Sequence, residues 1–294
     1  MRERNLHRPG AGVLPEPPGF SAATFGLLRD IVAQRTGVFF DDAKRDLFAD
    51  RISDAMAARG VPSALDYYYL LKYDPAADDA WAELADHLAV PETYFWRQAE
   101  QFQALTEVLM PRYAAQGRRG VRIWSAACCS GEEPLSIAMA LAEGGWFERM
   151  TIDIMGSDAS PAMVARARGG VYGERALRAL SPGRRERFFR REGERWRIDG
   201  GLHARVRWST ANLLDAAQAG PLAAADVIFC RNVLIYFSDD AIRRVARLFV
   251  GRMPASGHLF LGTSESLTRL TSDFLLQEIG PAFVYVPNPG AAPA

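Results

Sequence analysis

The apolar residues in the first 90 positions have the spacing of helices. Ser21 can cap a helix that Gly37 ends. Its apolar side chains fall on one face: Phe25, Leu28, Ile31 and Val32. The same spacing predicts three more helices, at 42–59, 65–73 and 81–89. We therefore expect an all-helical domain over residues 20–90. Residues 1–19 hold four prolines and three glycines without an apolar period, which predicts disorder.

The pattern changes at Val121, where short apolar strands begin to alternate with helices. The predicted strands are 121–127, 151–157, 205–210, 226–230 and 257–263, and the predicted helices are 134–143, 160–168 and 239–252. This alternation indicates an α/β fold with a parallel, doubly wound sheet. Two last strands, 273–279 and 282–286, are too close for a crossover, so we expect them to be antiparallel.

Residues 169–204 interrupt this alternation with short β-like pieces separated by glycines, which predicts a small β insertion at the edge of the sheet. The region is basic, because 13 arginines stand against five acids between Arg166 and Arg207. A solvated face and a docking patch for an acidic protein both fit this excess. Residues 287–294 are expected to form a frayed tail.

The composition excludes several classes of partner. Lys plus Arg and Asp plus Glu balance at 35 each in 294 residues, so the net field favours neither nucleic acid nor a membrane surface. No signal peptide is visible and no apolar run approaches the ~18 residues of a membrane span, so we expect a cytoplasmic protein. The three cysteines, Cys128, Cys129 and Cys230, show neither metal-site spacing nor a disulfide framework, and we expect no metal.

The turn after the first predicted strand is the first candidate for chemistry. In VRIWSAACCSGEEPLS, residues 121–136, an apolar strand leads through small residues and two acids into a helix. Such a turn forms a nucleotide-sized pocket at the carboxyl edge of an open α/β sheet. It lacks the lysine of a P-loop. Acidic residues there suit a ligand that carries positive charge, such as S-adenosylmethionine.

Polar residues also follow the other predicted strands at this edge. Asp158 ends the second strand, where an acid can bind a ribose or cap the following helix. Asn212 follows the third, where an amide can read an adenine edge. Arg231 and Asn232 follow the fourth, with Tyr236 close behind. Upstream, the segment PETYFWR at 91–97 joins the two domains, and its aromatics fit either interdomain packing or a binding role.

Together these segments resemble the bacterial chemotaxis-receptor glutamate O-methyltransferases of the CheR type. The resemblance spans about residues 22–286 and rests on seven collinear segments: LLRDIVAQRTGVFF with DDAKRDLFADRI, ETYFWR, WSAACCSGEEPLSIA, GSDAS, NLLD, ADVIFCRNVLIYF and LGTSESL. It implies a helical receptor-docking domain followed, over residues 91–286, by a Rossmann-like class I methyltransferase domain. That domain has a mostly parallel sheet with an antiparallel last strand.

The resemblance also implies the chemistry: S-adenosylmethionine methylates the γ-carboxylate of receptor glutamates and leaves S-adenosylhomocysteine. A carboxylate is already a nucleophile at neutral pH, so no general base is required. The cofactor contacts that it implies are Thr93, Arg97, Glu133, Asp158, Asn212, Leu213, Arg231 and Asn232. It implies catalytic roles for two residues: Arg97, which can hold a carboxylate, and Tyr236, which lies beside the transferring methyl.

Two departures from the family pattern bear on cofactor and partner binding. Pro91 stands where members commonly carry an Asn that contributes to cofactor binding. Ser53 and Asp54 occupy positions that are often Arg on the receptor-docking helix, which leaves four basic residues: Lys44, Arg45, Arg51 and Arg59. The loop around 191–194 is also short, so we expect the cytoplasmic helices of chemotaxis receptors to bind without a pentapeptide tether. We expect a monomer.

Two other functions stay open at this point. The same chemistry could act on a signalling protein outside chemotaxis. A catalytically silent module that senses S-adenosylmethionine or S-adenosylhomocysteine is the other reading, and Pro91 is the only residue that favours it.

Overall fold

The computed structural model describes residues 20–291, so the predicted disorder at 1–19 and the last residues of the tail lie outside it. The N-terminal domain contains four α-helices: α1 (Ala22–Thr36), α2 (Arg45–Arg59), α3 (Ala64–Tyr73) and α4 (Ala77–Leu88). The Ser21 hydroxyl caps α1 by accepting from the Thr24 N–H, and Gly37 ends it with a φ of 82°. Helix α4 begins earlier than predicted, with Asp78 and Asp79 in its first turn, where the helix dipole favours acids.

The second domain is built on strands, as predicted. They are β1 (Gly120–Ala126), β2 (Thr151–Asp158), β3 (Val171–Tyr172), β4 (Phe189–Glu192), β5 (Arg195–Ile198), β6 (Val206–Thr210), β7 (Val227–Cys230), β8 (His258–Leu261), β9 (Phe274–Ile279) and β10 (Ala282–Pro287). Seven of them form one sheet in the order β6-β2-β1-β7-β8-β10-β9. Strand β10 is antiparallel to both its neighbours, and the other pairings are parallel. The predicted mostly parallel sheet with an antiparallel hairpin is confirmed.

Helices cover both faces of the large sheet. The α-helices of the second domain are α5 (Ala99–Gln103), α6 (Met110–Ala115), α7 (Glu132–Glu143), α8 (Pro161–Gly169), α9 (Pro182–Phe188), α10 (Gly200–His203), α11 (Ala216–Ala223) and α12 (Asp239–Val250). A π-helical segment, Ala104–Leu109, makes α5 and α6 one continuous element that the sequence analysis did not predict. Because both faces are covered, all four residues of β7 are buried and read as a continuous apolar run.

The insertion is a small separate sheet in the order β3-β5-β4. Strands β4 and β5 join through Gly193 and Glu194, and Gly193 has the left-handed φ of 61° that so tight a turn requires. Helix α9 precedes them, so the insertion is not purely β. The predicted fraying of the tail does not begin at Pro287, which pairs with Phe274 in the β9–β10 ladder.

Candidate active site

One cavity of about 620 Å³ lies at the carboxyl edge of the sheet, between the sheet and the helical domain. The loops after β1, β2, β6 and β7 form its floor, and residues of α1, α2 and α4 form the opposite wall. All nine residues that the sequence analysis singled out line it: Thr93, Arg97, Glu133, Asp158, Asn212, Leu213, Arg231, Asn232 and Tyr236. The fold therefore brings together residues that are spread over more than 140 positions of the chain.

The turn after β1 is held in an unusual conformation. Ala127 and Cys129 have φ angles of 56° and 51°, and Gly131 has 93°. A Cβ on Gly131 would lie 2.8 Å from the Trp208 ring, so only glycine fits there. The Cys129 N–H donates to Asp158 Oδ2 at 2.8 Å, which ties this turn to the end of β2.

Asp158 does not cap helix α8, which was one of its two predicted roles. That cap is Ser160, whose hydroxyl accepts from the Met163 N–H. Asp158 accepts backbone hydrogen bonds from Cys129 and Ser160 instead, and its carboxylate borders the cavity. Burial raises the pKa of Asp158, although the two backbone donors oppose that rise. A half-buried carboxylate with acceptor capacity to spare is suited to a ligand's hydroxyl groups.

Glu133 and Arg231 form a buried charge pair at the centre of the site. Glu133 Oε2 lies 3.3 Å from Arg231 Nη1, and its Oε1 accepts from the Ser125 hydroxyl at 2.6 Å. Burial raises the pKa of Glu133 and lowers that of Arg231. The guanidinium also donates to Gln98 Oε1 from Nε at 2.9 Å and to the Arg97 carbonyl from Nη2 at 2.6 Å. Arg231 thus holds the Arg97 carbonyl and the Gln98 side chain in place.

The side chains of the segment between the domains divide between the core of the second domain and the cavity wall. Phe95 is fully buried and packs edge-on against Tyr172, with ring centroids 4.8 Å apart, which is packing. Thr93, Tyr94 and Arg97, in contrast, line the cavity. Arg97 Nη1 donates to the Glu92 carbonyl at 2.9 Å, so its backbone partner fixes where its charge lies.

The insertion clamps this segment from outside. The Arg178 guanidinium lies over the Tyr94 ring, 3.7 Å from its centroid, and donates to Glu92 Oε1 at 2.9 Å. Arg175 donates to the other oxygen of Glu92 at 3.0 Å. At least two arginines of the basic insertion therefore hold the cavity wall and are not free for a partner.

Asn212 lies at the predicted edge of the sheet, but its side-chain amide is already hydrogen-bonded. Its side-chain amide donates to the Arg35 carbonyl at 2.7 Å and its Oδ1 accepts from the Leu214 N–H at 2.9 Å, so the amide holds the helical domain rather than facing the cavity freely. The adjacent Leu213 N–H has no hydrogen-bond partner among residues 20–291 and borders the cavity. The backbone at this position is therefore the free polar group.

The loop that carries Tyr236 is joined to the helical domain. The Phe39 N–H donates to the Tyr236 carbonyl at 2.8 Å, and the Ser238 N–H donates to the Gly37 carbonyl at 3.1 Å. A Cβ on Gly37 would meet the Phe237 ring at 2.8 Å, so this close approach depends on glycine. A second link is Asp86 of α4, which accepts from the Ser160 hydroxyl and the Ala162 N–H at the start of α8.

Backbone strain is concentrated around this cavity. Among residues 20–291, the non-glycine residues with positive φ are Trp96, Gln98, Ala127, Cys129 and Asn232. All of them lie in the three loops that border the cavity. Left-handed conformations of such residues cost about 1–3 kcal/mol each and persist where surrounding contacts hold them. Two such contacts involve residues that the sequence did not point to: Glu265 accepts from the Asn232 N–H at 2.8 Å, and Gln98 accepts from Arg231 at 2.9 Å. Asp86, which joins α4 to the start of α8, was not predicted either.

The basic residues predicted to dock a receptor are mostly engaged within the helical domain. Arg51 Nη1 donates to the His87 carbonyl at 2.8 Å, and Arg59 pairs with Glu83 at 2.8 Å. Arg45 donates to the Phe20 carbonyl at 3.0 Å. Lys44 is exposed and lines the cavity. Of the four, Lys44 therefore presents its charge most openly.

Metal and thiol chemistry find no support in the described part of the chain. No three His, Cys, Asp or Glu side chains within residues 20–291 approach one another as metal ligands. Burial raises the pKa of all three cysteines, that of Cys129 to about 12, so each stays a thiol. None of the described helices combines the length and apolar character needed to cross a membrane.

The cavity suits S-adenosylmethionine on several independent grounds. It offers a half-buried acid at the end of β2, an N–H at Leu213 that is unpaired within residues 20–291, and carboxylates that favour a positively charged ligand. Arg231 Nη1 is buried, and although it lies near Glu133 it makes no hydrogen bond, so it can still donate to a ligand. The cavity thus holds donors, acceptors and charged groups of the kinds that an adenosine, a sulfonium and an amino-acid group can bind.

Both domains match models of one protein family. Residues 23–89 match the model described as "CheR methyltransferase, all-alpha domain", and residues 91–281 match "CheR methyltransferase, SAM binding domain". The chain is 34% identical to chemotaxis protein methyltransferase 2 of Vibrio cholerae over 256 residues, which cover 85% of this chain and 88% of that protein. It is 32% identical to chemotaxis protein methyltransferase 1 of Pseudomonas aeruginosa over 273 residues, or 90% and 97% of the two chains.

Proposed function

This chain belongs to the CheR methyltransferase family, and from that premise we propose that it methylates glutamate side chains of chemotaxis receptors. S-Adenosylmethionine supplies a methyl group on a sulfonium, which a carboxylate oxygen can take by in-line displacement. The observation that supports this most directly is the single cavity lined by all nine predicted residues.

We assign cofactor binding to the floor of the cavity. Asp158 would hold the ribose hydroxyls, and the backbone at Leu213 would meet the adenine. Glu133 and Arg231 would meet the charged amino-acid end. This assignment is supported by the two half-buried carboxylates, whose pKa values burial raises, and by the N–H of Leu213, which has no partner in the described part of the chain. Thr93 and Asn232 complete the contacts.

We assign the methyl transfer to the rim between the domains. Arg97 would orient a carboxylate, since a guanidinium pairs with both its oxygens. Tyr236 would lie beside the reacting methyl. The helical domain contributes apolar side chains to this wall, including Phe39, Phe40 and Trp81. A dry site favours the reaction because the charges of the carboxylate and the sulfonium neutralise each other as the bond forms.

The partner is then the cytoplasmic, glutamate-bearing helix of a chemotaxis receptor. The two-residue turn between β4 and β5 supports docking without a pentapeptide tether, because that loop is short. The monomeric state and the cytoplasmic location stay predictions. Two other functions use the same cofactor site. In one, the enzyme methylates a different acceptor protein; in the other, a silent sensor binds the cofactor or its product.

Radiolabelled S-adenosylmethionine incubated with this protein and membranes that contain the host's receptors separates these functions. We expect label on a receptor band that alkali releases, because carboxyl methyl esters are base-labile. Label on a different protein would assign another acceptor. Calorimetric binding of S-adenosylhomocysteine without any labelled protein would assign the sensor. Membranes that lack receptors are the control.

A further inference from the structure

Glu265, in the loop between β8 and β9, accepts hydrogen bonds from the backbone of the loop that carries Tyr236. Its Oε1 accepts from the N–H groups of Val233 at 2.9 Å and Leu234 at 2.7 Å. Its Oε2 accepts from Asn232 at 2.8 Å and Gly262 at 2.6 Å. One carboxylate therefore serves four backbone donors from two loops.

This arrangement requires a curled backbone. Three consecutive N–H groups can point at one anion only where the chain bends around it, and Asn232 has the left-handed φ of 60° that produces the bend. These three groups have no other acceptor among residues 20–291. Without the Glu265 carboxylate, a strained loop would lose the acceptors that hold it.

Gly262 contributes to the same hydrogen-bonded arrangement around Glu265. A Cβ at this position would lie 2.7 Å from Glu265 Oε2 and 2.6 Å from Asn232 Nδ2. The absence of a side chain lets the carboxylate and the Asn232 amide approach the end of β8. The contact is therefore specific to this combination of residues.

The bend leads directly into the short helical turn that ends at Tyr236. Leu234 begins that turn, and the Tyr236 N–H donates to the Val233 carbonyl at 3.1 Å. We propose that Glu265 is a positioning residue that holds Asn232 and Tyr236 in the geometry that methyl transfer needs. This inference rests on the proposed function, because Tyr236 acts on the reacting groups only if the chain is a methyltransferase.

The test compares Glu265→Gln with Glu278→Gln, an exposed glutamate of β9 that serves as the matched control. The glutamine turns an NH₂ group toward two of the N–H donors. We expect hydrogen exchange of the amides at 232–234 to rise about tenfold or more, since a charge-assisted hydrogen bond is lost. Exchange in β7 should not change. Turnover should fall about tenfold while affinity for S-adenosylhomocysteine falls no more than about threefold.

Normal turnover per folded molecule together with unchanged exchange at 232–234 would overturn the proposal. Faster exchange throughout the domain, with turnover lost only in proportion to unfolded protein, would show a merely structural role and overturn it as well. If the glutamine variant does not fold, Glu265→Asp keeps the charge but shortens its reach, and the same outcomes apply. If the unmodified protein methylates nothing, the proposed function fails, while the exchange data still show whether Glu265 holds the loop.

Discussion

Two regions of this molecule carry arginine in different surroundings. At the cavity, the Arg231 side chain is 1% exposed and contacts Glu133, Gln98 and the Arg97 carbonyl. In the small insertion, Arg190 of β4 is exposed and lies directly opposite Arg197 of β5. Like charges directly opposite each other on a strand pair are unfavourable, but water screens them at the surface.

The difference shows what burial does to one kind of side chain. An exposed ion pair contributes about 0–1 kcal/mol, whereas removing one partner of a buried pair costs about 3–5 kcal/mol. The charge of Arg231 therefore determines local structure, and that of an exposed arginine such as Arg190 does not. Arg178 is an intermediate case, because it is 35% exposed and yet clamps Tyr94 and Glu92.

The largest expected effect is on folding stability and compares Arg231→Met with Arg190→Met. Loss of the buried guanidinium leaves Glu133 without its counter-charge and Gln98 Oε1 without its donor. We expect the free energy of unfolding to fall by about 3–5 kcal/mol. The exposed variant should stay within about 0.5 kcal/mol of the unmodified protein. Denaturant unfolding measures both free energies. Equal losses of stability in the two variants would contradict the difference expected between a buried and an exposed arginine.

The next effect is on cofactor affinity and compares Asp158→Asn with Asp153→Asn on the same strand. Asp153 pairs with Arg207 away from the cavity. Losing a charge-assisted hydrogen bond should cost about 1.5–3 kcal/mol, or roughly 10- to 150-fold in affinity for S-adenosylhomocysteine. Calorimetric titration measures this. Unchanged affinity in Asp158→Asn would show that Asp158 does not bind the cofactor and only accepts backbone hydrogen bonds from Cys129 and Ser160.

The same pair of variants tests the electrostatics of burial. Burial raises the pKa of Asp158, so its carboxylate takes up a proton at a higher pH than an exposed aspartate does. Since the ionised form is the better acceptor, affinity for S-adenosylhomocysteine should fall on acidification. The fall should begin at a pH above the usual pKa range of aspartate. Asp158→Asn should lack this dependence, and Asp153→Asn should keep it. Titrations across mildly acidic pH measure it.

A smaller effect is expected from Tyr236→Phe, with the exposed Tyr73→Phe as its control. Loss of one hydroxyl hydrogen bond near the reacting groups should lower turnover about two- to tenfold. Affinity for S-adenosylhomocysteine should change less, because the ring remains. Steady-state methylation assays measure this. Turnover equal to that of the unmodified protein would show that the Tyr236 hydroxyl takes no part in methyl transfer, although the ring still could.

The smallest effect concerns receptor docking. Lys44→Glu should slow methylation a few-fold at low salt and flatten its salt dependence, because rim charges act mainly on encounter. Arg187→Glu with Arg190→Glu tests the insertion as the competing surface. Arg51 is unsuitable for this test because it holds the His87 carbonyl. If only the insertion variant slows methylation, docking belongs to the insertion.

The sequence by itself determined where the strands of the large sheet lie along the chain and that the last two form an antiparallel hairpin, and its family motifs indicated the nine residues around the cavity. Each of these depends on local pattern or on a motif, and local pattern is visible in the chain. It did not predict helices α5, α6, α9, α10 and α11, nor the engagement of Arg51 and Arg59 by α4. The π segment between α5 and α6 breaks their helical period.

Only the tertiary structure decided which side chains hold the cavity in shape. Glu265 bonds Asn232 across 33 positions, and Asp86 reaches Ser160 across 74. No periodicity or spacing connects such residues, because the bonds form between loops that the fold brings together. The amide of Asn212 shows the same limit: the sequence placed it at the correct edge, but the nearby Arg35 carbonyl determines its direction. Local propensities are therefore enough to specify the elements, whereas buried polar groups take their partners from whatever the packed chain places beside them.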